Sequence, residues 1–138
     1  MVREVIDQKL DSLRRCIDRV AQKCPADAET LQRDPDLQDI VALNLTRAVQ
    51  LCVDLGAHVL TSLDVRSPQT MGQTFDALAA ARVIPETLAA RLKKSVGFRN
   101  IAVHNYEAID WVIVHSIARN HLVDFTDFAR AISATSGR

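Results

Sequence analysis

The amino-acid sequence predicts an all-α fold, a bundle of about five helices in a single domain over residues 1–138. Apolar residues recur at the three- and four-residue spacing of helices along most of the chain. There is no strand alternation with hairpin turns, no glycine-rich phosphate loop and no internal repeat. With 48% hydrophobic and 25% charged residues, the chain has the composition of a soluble globular domain.

Two helices are predicted in the first half of the chain. The first runs from Val2 to about Cys24, where Pro25 disfavours further helix, and a short helical turn follows over Asp27–Leu31. Asp34 and Pro35 then begin the longest helix. Its main apolar stripe is Leu37, Val41, Leu45, Ala48, Cys52, Leu55 and Val59. Further apolar residues on its other faces predict contacts on two sides, with flanking helices or with a second subunit.

Three more helices are predicted in the second half. After a loop over Asp64–Thr70, they span about Met71–Arg82, Pro85–Val96, and a last helix from Asp110 to Ile132. Gly97 and Phe98 are expected to interrupt or bend the chain, and residues 105–109 to form a connector. The polar tail Ser133–Arg138 is expected to fray.

The net charge is zero, which argues against indiscriminate nucleic-acid binding. Charge is nevertheless segregated, with five acids against one base over residues 27–39 and five bases against one acid over residues 82–104. A solvated helix face is the commoner explanation of such runs. The three cysteines lack zinc-site spacing, and Cys16 and Cys52 are expected in the core. With no signal peptide or membrane span expected, the sequence predicts a cytoplasmic protein without metal or other cofactor.

The segment from Arg99 to Tyr106 carries the most informative chemistry. On a helix, Asn100 and His104 share a face and Arg99 lies beside Asn100. A guanidinium that binds phosphate and an imidazole that transfers protons near neutral pH form a plausible phosphodiester-cleaving pair. The plain structural alternative makes Arg99 a surface cation, Asn100 a cap or turn residue, His104 a helix-end residue and Tyr106 an amphipathic boundary residue.

The longer segment Leu92–Tyr106 resembles the signature of the HEPN superfamily, in particular the HepT toxins of HEPN–MNT toxin–antitoxin pairs. The resemblance extends in colinear order to Leu37-Gln38-Asp39, Asn44-Leu45, Asp54–His58 and His121–Phe125. It implies a dimeric endoribonuclease that needs no metal, with Arg99 and His104 catalytic and Asn100 supporting them. It also implies that an MNT-type nucleotidyltransferase antitoxin attaches AMP to Tyr106.

Cleaving RNA without a metal requires a base for the 2′-hydroxyl, a cation for the transition state and an acid for the leaving oxygen. A two-fold dimer would supply two histidines and two arginines, enough for a separate acid and base. RNA, not DNA, is therefore the expected substrate, although mRNA and tRNA are not distinguished. The alternatives are a non-catalytic helical binding module modified by the nucleotidyltransferase, and an inert structural bundle. His58, His115 and His121 receive no role.

Overall fold

The computed structural model describes residues 2–136, and within that range it is all-α, as predicted. It contains seven α-helices and one 3₁₀ turn, compared with the expected five or so helices. The elements are α1 (Val2–Lys23), α2 (Ala28–Arg33), α3 (Pro35–Ser62), α4 (Met71–Ala80), α5 (Glu86–His104), the 3₁₀ turn (Tyr106–Ala108), α6 (Trp111–Asn120) and α7 (Leu122–Ser136). The tail expected to fray from Ser133 is helical to Ser136, and Gly137 and Arg138 lie outside the described residues.

Side-chain caps define where several helices begin. The Asp34 carboxylate accepts hydrogen bonds from the backbone N–H groups of Asp36 and Leu37, and Pro35 occupies the first turn of α3. Asp110 caps α6 in the same way, as the sequence predicts. Each such cap typically stabilises a helix by about 1 kcal/mol. The starts of α3 and α6 are therefore encoded locally.

Helix α3 forms the centre of the bundle and packs against α1, α4, α5 and α7. The two-sided contact predicted from its wide apolar surface is thus made by flanking helices, while Leu43 stays 53% exposed. Its length and composition alone would allow a membrane span, although none is expected from the sequence. Ten of its residues are buried among neighbouring helices, so α3 serves as the core helix of the bundle.

Gly56 allows α4 to approach α3 closely. A Cβ atom at this position would lie 2.8 Å from both the Leu78 Cδ1 and Thr74 Cγ2 atoms of α4. Both of those side chains are buried. Any larger residue would therefore force the Leu78 and Thr74 side chains, or α4 itself, to shift.

The prediction that Gly97 and Phe98 interrupt the chain is wrong. Helix α5 continues from Glu86 to His104, and a Cβ atom at Gly97 would meet nothing within 4 Å. Leu92, Val96 and Phe98 are all buried, so packing on both sides of Gly97 holds the helix together. The motif residues consequently belong to the same rigid helix as the core residues before them.

The predicted last helix is in fact two helices, α6 and α7, separated at His121. The His121 backbone N–H bonds to the Ile117 carbonyl and ends α6, and the His121 carbonyl accepts from the Asp124 N–H. After the break, α7 places three large residues in the core, namely Phe125, Phe128 and Ile132. The end of α4 also differs, since Arg82 has a φ of +62° and cannot extend the helix to the predicted boundary.

Candidate active site

The candidate site lies where α5 ends and the chain turns toward α6. Arg99, Asn100 and His104 occupy the last turns of α5, and the Asn105 N–H bonds to the Ile101 carbonyl as the helix terminates. The 3₁₀ turn then starts at Tyr106. All four sequence-predicted site residues are therefore within two helical turns of one another along the chain.

Arg99 is held by the packing of α5 on the bundle core. It lies seven residues after Leu92 and three after Val96, both buried, so it continues the buried stripe of the helix. Its Nη1 donates to Asn100 Oδ1 at 3.2 Å. Its Nε is buried without a hydrogen-bond partner among the described residues. A buried donor of this kind favours an incoming anion, such as a phosphate oxygen.

Asn100 and His104 face solvent on the same side of α5, as their four-residue spacing predicts. Arg99 is hydrogen-bonded to Asn100, whereas none of the hydrogen bonds among the described residues joins it to His104. The imidazole is exposed, and the half-buried guanidinium lies five residues earlier on the same helix. The site consequently has the components of acid–base chemistry on a phosphate.

Tyr106 is anchored to the start of α3 and not to the motif helix. Its hydroxyl donates a 2.6 Å hydrogen bond to Asp39 Oδ1, and its ring contacts Trp111 edge-on at a centroid distance of 5.9 Å. Burial raises the pKa of the Tyr106 phenol well above 10.0, and the Asp39 hydrogen bond and the charges of Asp39 and Glu107 add to the effect. The neutral phenol, 38% exposed, presents its oxygen next to a carboxylate that can accept its proton.

Asp39 is the residue of this site to which the sequence analysis gave no role. It appeared only within a segment matching the family resemblance, 67 positions before Tyr106. No local spacing connects the two residues, because their contact depends on how α3 packs relative to the end of α5. The only signal in the sequence was that Leu37-Gln38-Asp39 matches the family resemblance, and this match did not indicate a role for Asp39.

The charge runs noted in the sequence are largely used for structure. In the acidic run, Asp27 and Asp34 cap helices and Glu29 pairs with Arg33. In the basic run, Arg91 bonds to the buried Asp124 of α7 at 2.8 Å and Lys93 bonds to Asp76 of α4 at 3.0 Å. Arg99 makes no such ion pair among the described residues, and it differs from Arg91 and Lys93 in having a buried Nε without a partner there.

The remaining histidines and the cysteines lie elsewhere. His115 Nε2 is 2.9 Å from the Pro25 carbonyl oxygen, and His121 is 3.8 Å from Asp124. The three cysteines are buried, and burial raises the pKa of each thiol. From residue 2 to residue 136, no group of three or more His, Cys, Asp or Glu side chains is arranged to hold a metal ion.

Comparisons with known proteins agree with the resemblance that this motif carries. A family model described as ribonuclease HepT-like matches residues 3–132. The chain belongs to this family. It is 37% identical over 131 residues to the mRNA nuclease HepT of Shewanella oneidensis, covering 95% of this chain and 98% of that one. The resemblance inferred from the motif is therefore confirmed.

Solved structures of toxin–antitoxin complexes contain chains with a similar fold. The chain superposes with a TM-score of 0.89 on a chain of a toxin–antitoxin crystallised with AMP-PNP, at 36% identity over 95% of this chain and 98% of that one. It superposes with a TM-score of 0.87 on the tri-AMPylated Shewanella oneidensis HEPN toxin in complex with MNT antitoxin. That second match has 37% identity and covers 94% of this chain and 97% of the other.

Proposed function

We propose that this protein is a cytoplasmic endoribonuclease toxin, a single HEPN-like domain that acts as a homodimer. We further propose that an MNT-type nucleotidyltransferase antitoxin silences it by attaching AMP to Tyr106. Membership in the ribonuclease HepT-like family and 37% identity to an mRNA nuclease support the activity. Similarity to a tri-AMPylated toxin bound to its antitoxin supports the partner and the modification.

The observation that carries the proposed activity is the buried Nε of Arg99, which has no hydrogen-bond partner among the described residues and is close in sequence to the exposed His104. In water an arginine would satisfy all its donors, so burying one without a partner costs about 1–3 kcal/mol. A phosphate oxygen bound at this position would recover that cost. We assign Arg99 to binding the scissile phosphate and its transition state, His104 to proton transfer, and Asn100 to orienting the guanidinium through its 3.2 Å hydrogen bond.

The reaction proceeds by attack of the 2′-hydroxyl oxygen on the adjacent phosphorus. A base removes the 2′-hydroxyl proton, the bond to the 5′-oxygen breaks, and an acid protonates that oxygen. The products are a 2′,3′-cyclic phosphate and a 5′-hydroxyl. These steps require no metal, since guanidinium groups stabilise the phosphorane-like charge.

A homodimer would supply both the acid and the base. Each chain contributes one His104, so two facing motifs provide two imidazoles for the two proton transfers. Large apolar side chains are exposed around the motif, which is unfavourable in a monomer and typical of an interface. These exposed residues are Ile101, Val103, Val112 and Ile113.

Tyr106 is a suitable acceptor for AMP. The phenolic oxygen attacks the α-phosphorus of a nucleoside triphosphate, its proton passes to Asp39, and pyrophosphate leaves. Asp39 is already hydrogen-bonded to that proton at 2.6 Å. The added phosphodiester places negative charge two residues from His104, where it competes with RNA for Arg99.

Cleavage of RNA by the purified protein in excess chelator tests the activity, after intact mass shows that Tyr106 is unmodified. We expect cleavage to survive the chelator and to fall by about 10²- to 10⁴-fold in His104→Ala, the range typical of a lost general acid or base. His121→Ala, an exposed histidine outside the motif, should cleave normally. Full activity of His104→Ala, or cleavage of RNA lacking the 2′-hydroxyl, would contradict the mechanism. Absence of cleavage by unmodified protein would favour the non-catalytic binding module.

The antitoxin part is tested separately by mass spectrometry. Incubation with the nucleotidyltransferase and ATP should add AMP to the wild-type chain and abolish cleavage, while Tyr106→Phe should remain unmodified and active. Modification of Tyr106→Phe to the wild-type extent would show that another residue accepts AMP.

A further inference from the structure

A basic groove lies between α1 and α3, apart from the motif helix. It has a volume of about 750 Å³ and is lined by Arg15 and Arg19 of α1 and Arg47 of α3. Apolar side chains of α3, including Ile40 and Leu43, form part of its wall. No acidic side chain lines it within residues 2–136.

The three arginines of this groove are not used in ion pairs. Within the described part of the chain, none of them has a carboxylate within 4.0 Å, and Arg15 bonds only to the hydroxyl of Ser12 at 3.0 Å. By contrast, Arg14 on the neighbouring face of α1 pairs with Asp11 at 3.0 Å. The structure therefore concentrates uncompensated positive charge in a protein whose net charge is zero.

The positive charge also acts on the thiol of Cys16, which lines the groove together with the arginines. Burial raises the pKa of Cys16, and the charges of Arg47 and Arg15 oppose that effect. Arg47 of α3 and Arg15 of α1 therefore act on the same point of the groove. Two guanidinium groups converging from different helices can bind neighbouring anionic oxygens of one ligand.

The groove begins on α3 within about one helical turn of Asp39, the partner of Tyr106. Lys9 of α1 pairs with Asp54 of α3 at 3.6 Å, while Cys16 lies near Arg47, so the two helices run antiparallel. Ile40 and Leu43 of the groove lie one and four residues after Asp39, whose carboxylate binds Tyr106. By helical rise, Arg47 is about 12 Å further along α3 than Asp39.

We propose that this groove binds the sugar–phosphate backbone of the RNA strand beside the cleavage site. The inference rests on the proposed ribonuclease function and adds a second, non-catalytic contact to it. Arginine forks match phosphate oxygens, and the apolar wall accommodates riboses and base faces. Since no aromatic side chain lines the groove, binding there should depend on phosphates and hardly on base identity.

The test uses RNA binding in a His104→Ala background, where the strand stays intact. Single-strand affinity is measured by fluorescence anisotropy over a range of salt concentrations. Replacing Arg15, Arg19 and Arg47 together by glutamine should weaken RNA binding by roughly an order of magnitude or more. The slope of log binding constant against log salt concentration should become shallower by about 2, because each lost phosphate contact accounts for about 0.7. Arg14→Gln, on the neighbouring face of the same helix and outside the groove lining, is the matched control and should leave both values unchanged.

Cleavage kinetics separate this inference from the proposed activity. With His104 restored, the triple variant should lose kcat/KM on a long single strand but cleave a dinucleotide normally, because a dinucleotide does not reach the groove. Loss of dinucleotide cleavage in His104→Ala alone tests the catalytic proposal independently. Thermal unfolding of each single arginine variant checks that the fold is retained, and any single variant that folds can replace the triple one.

Three results would overturn the inference. Wild-type RNA affinity and salt slope in the triple variant would show that the groove does not contact RNA. Loss of antitoxin binding with unchanged RNA affinity would make the groove a protein-binding surface. A changed oligomeric state with unchanged RNA affinity would make it the contact between two copies of this chain.

Discussion

Helices α3 and α5 both contact the core, but their buried faces end differently. The buried face of α3 is apolar or small along its whole length, from Val41 to Leu60. The buried face of α5 is apolar except for Ser95 as far as Phe98 and then continues with the half-buried Arg99, whose Nε has no partner within the described chain. The apolar face of α3 maximises burial, whereas α5 has a charged side chain where another apolar residue would pack. Helix α3 thus contributes mainly to stability, and the last turns of α5 carry the candidate site.

The largest expected effect comes from truncating the α3 face. Leu55 is fully buried, so Leu55→Ala should lower the free energy of unfolding by about 2–5 kcal/mol, through lost burial and the cavity left behind. Leu43→Ala, on the exposed face of the same helix, should change it by less than about 0.5 kcal/mol. Urea denaturation measures both values. Equal effects of the two substitutions would show that α3 is not the core helix.

The same contrast explains which parts of the fold were predictable. The boundaries of α3 follow from Asp34-Pro35 and a continuous apolar stripe, both local signals. The continuity of α5 was missed because Gly97 is a helix breaker only where neighbouring packing does not hold the chain. The break at His121 was missed because buried Ala118 and Phe125 are seven residues apart, so the apolar periodicity continues across it.

The part of the candidate site that is contiguous in the chain was predictable from the sequence. Arg99, Asn100, His104 and Tyr106 lie within eight residues and were identified from their order in the chain. Asp39 and the arginines of the basic groove reach their positions through helix packing, which no local pattern specifies. The half-buried state of Arg99 was also hidden, because it depends on the phase of α5 relative to the core.

Replacing Gly56 of α3 and Gly97 of α5 by alanine should change the free energy of unfolding in opposite directions. Gly56→Ala would place a methyl group 2.8 Å from two buried side chains of α4, and overpacking of this kind costs about 1–3 kcal/mol. Gly97→Ala meets nothing within 4 Å, so the better helix propensity should stabilise the protein by about 0.5–1 kcal/mol. Thermal or urea unfolding of both variants checks the signs. Destabilisation by Gly97→Ala would mean that α5 bends at this position after all.

Arg99→Leu should raise the free energy of unfolding and abolish RNA cleavage. A leucine would extend the buried stripe of Leu92 and Val96 and remove the unpartnered donor, so we expect the free energy of unfolding to rise by about 1 kcal/mol. RNA cleavage should be lost at the same time. Arg91→Leu is the matched control, because it breaks a 2.8 Å ion pair to the buried Asp124 and should destabilise the protein. Unchanged cleavage by Arg99→Leu would remove this residue from the proposed mechanism.

The smallest expected effect concerns the contact between the start of α3 and the end of α5. Tyr106 is the single tyrosine of the chain, so the ultraviolet absorbance of phenolate reports its ionisation alone. Native protein should titrate clearly above pH 10.0, and urea-unfolded protein close to it, because burial and Asp39 raise the pKa in the fold. The stabilisation linked to this shift is complete below the unfolded pKa and is lost as the pH rises toward the folded pKa. Tyr106→Phe should lack that alkaline loss.

Asp39→Asn separates the two causes of the shift. It removes the negative charge beside the phenol, so the Tyr106 pKa should fall toward 10.0 but stay above it, since burial is the larger cause. Asp36→Asn, on the same turn of α3 but without a contact to Tyr106, should leave the titration unchanged. If Asp39 also accepts the phenol proton during modification, the Asn variant should be AMPylated more slowly while cleaving RNA normally. Wild-type titration in Asp39→Asn would show that Asp39 and Tyr106 are not in contact in solution.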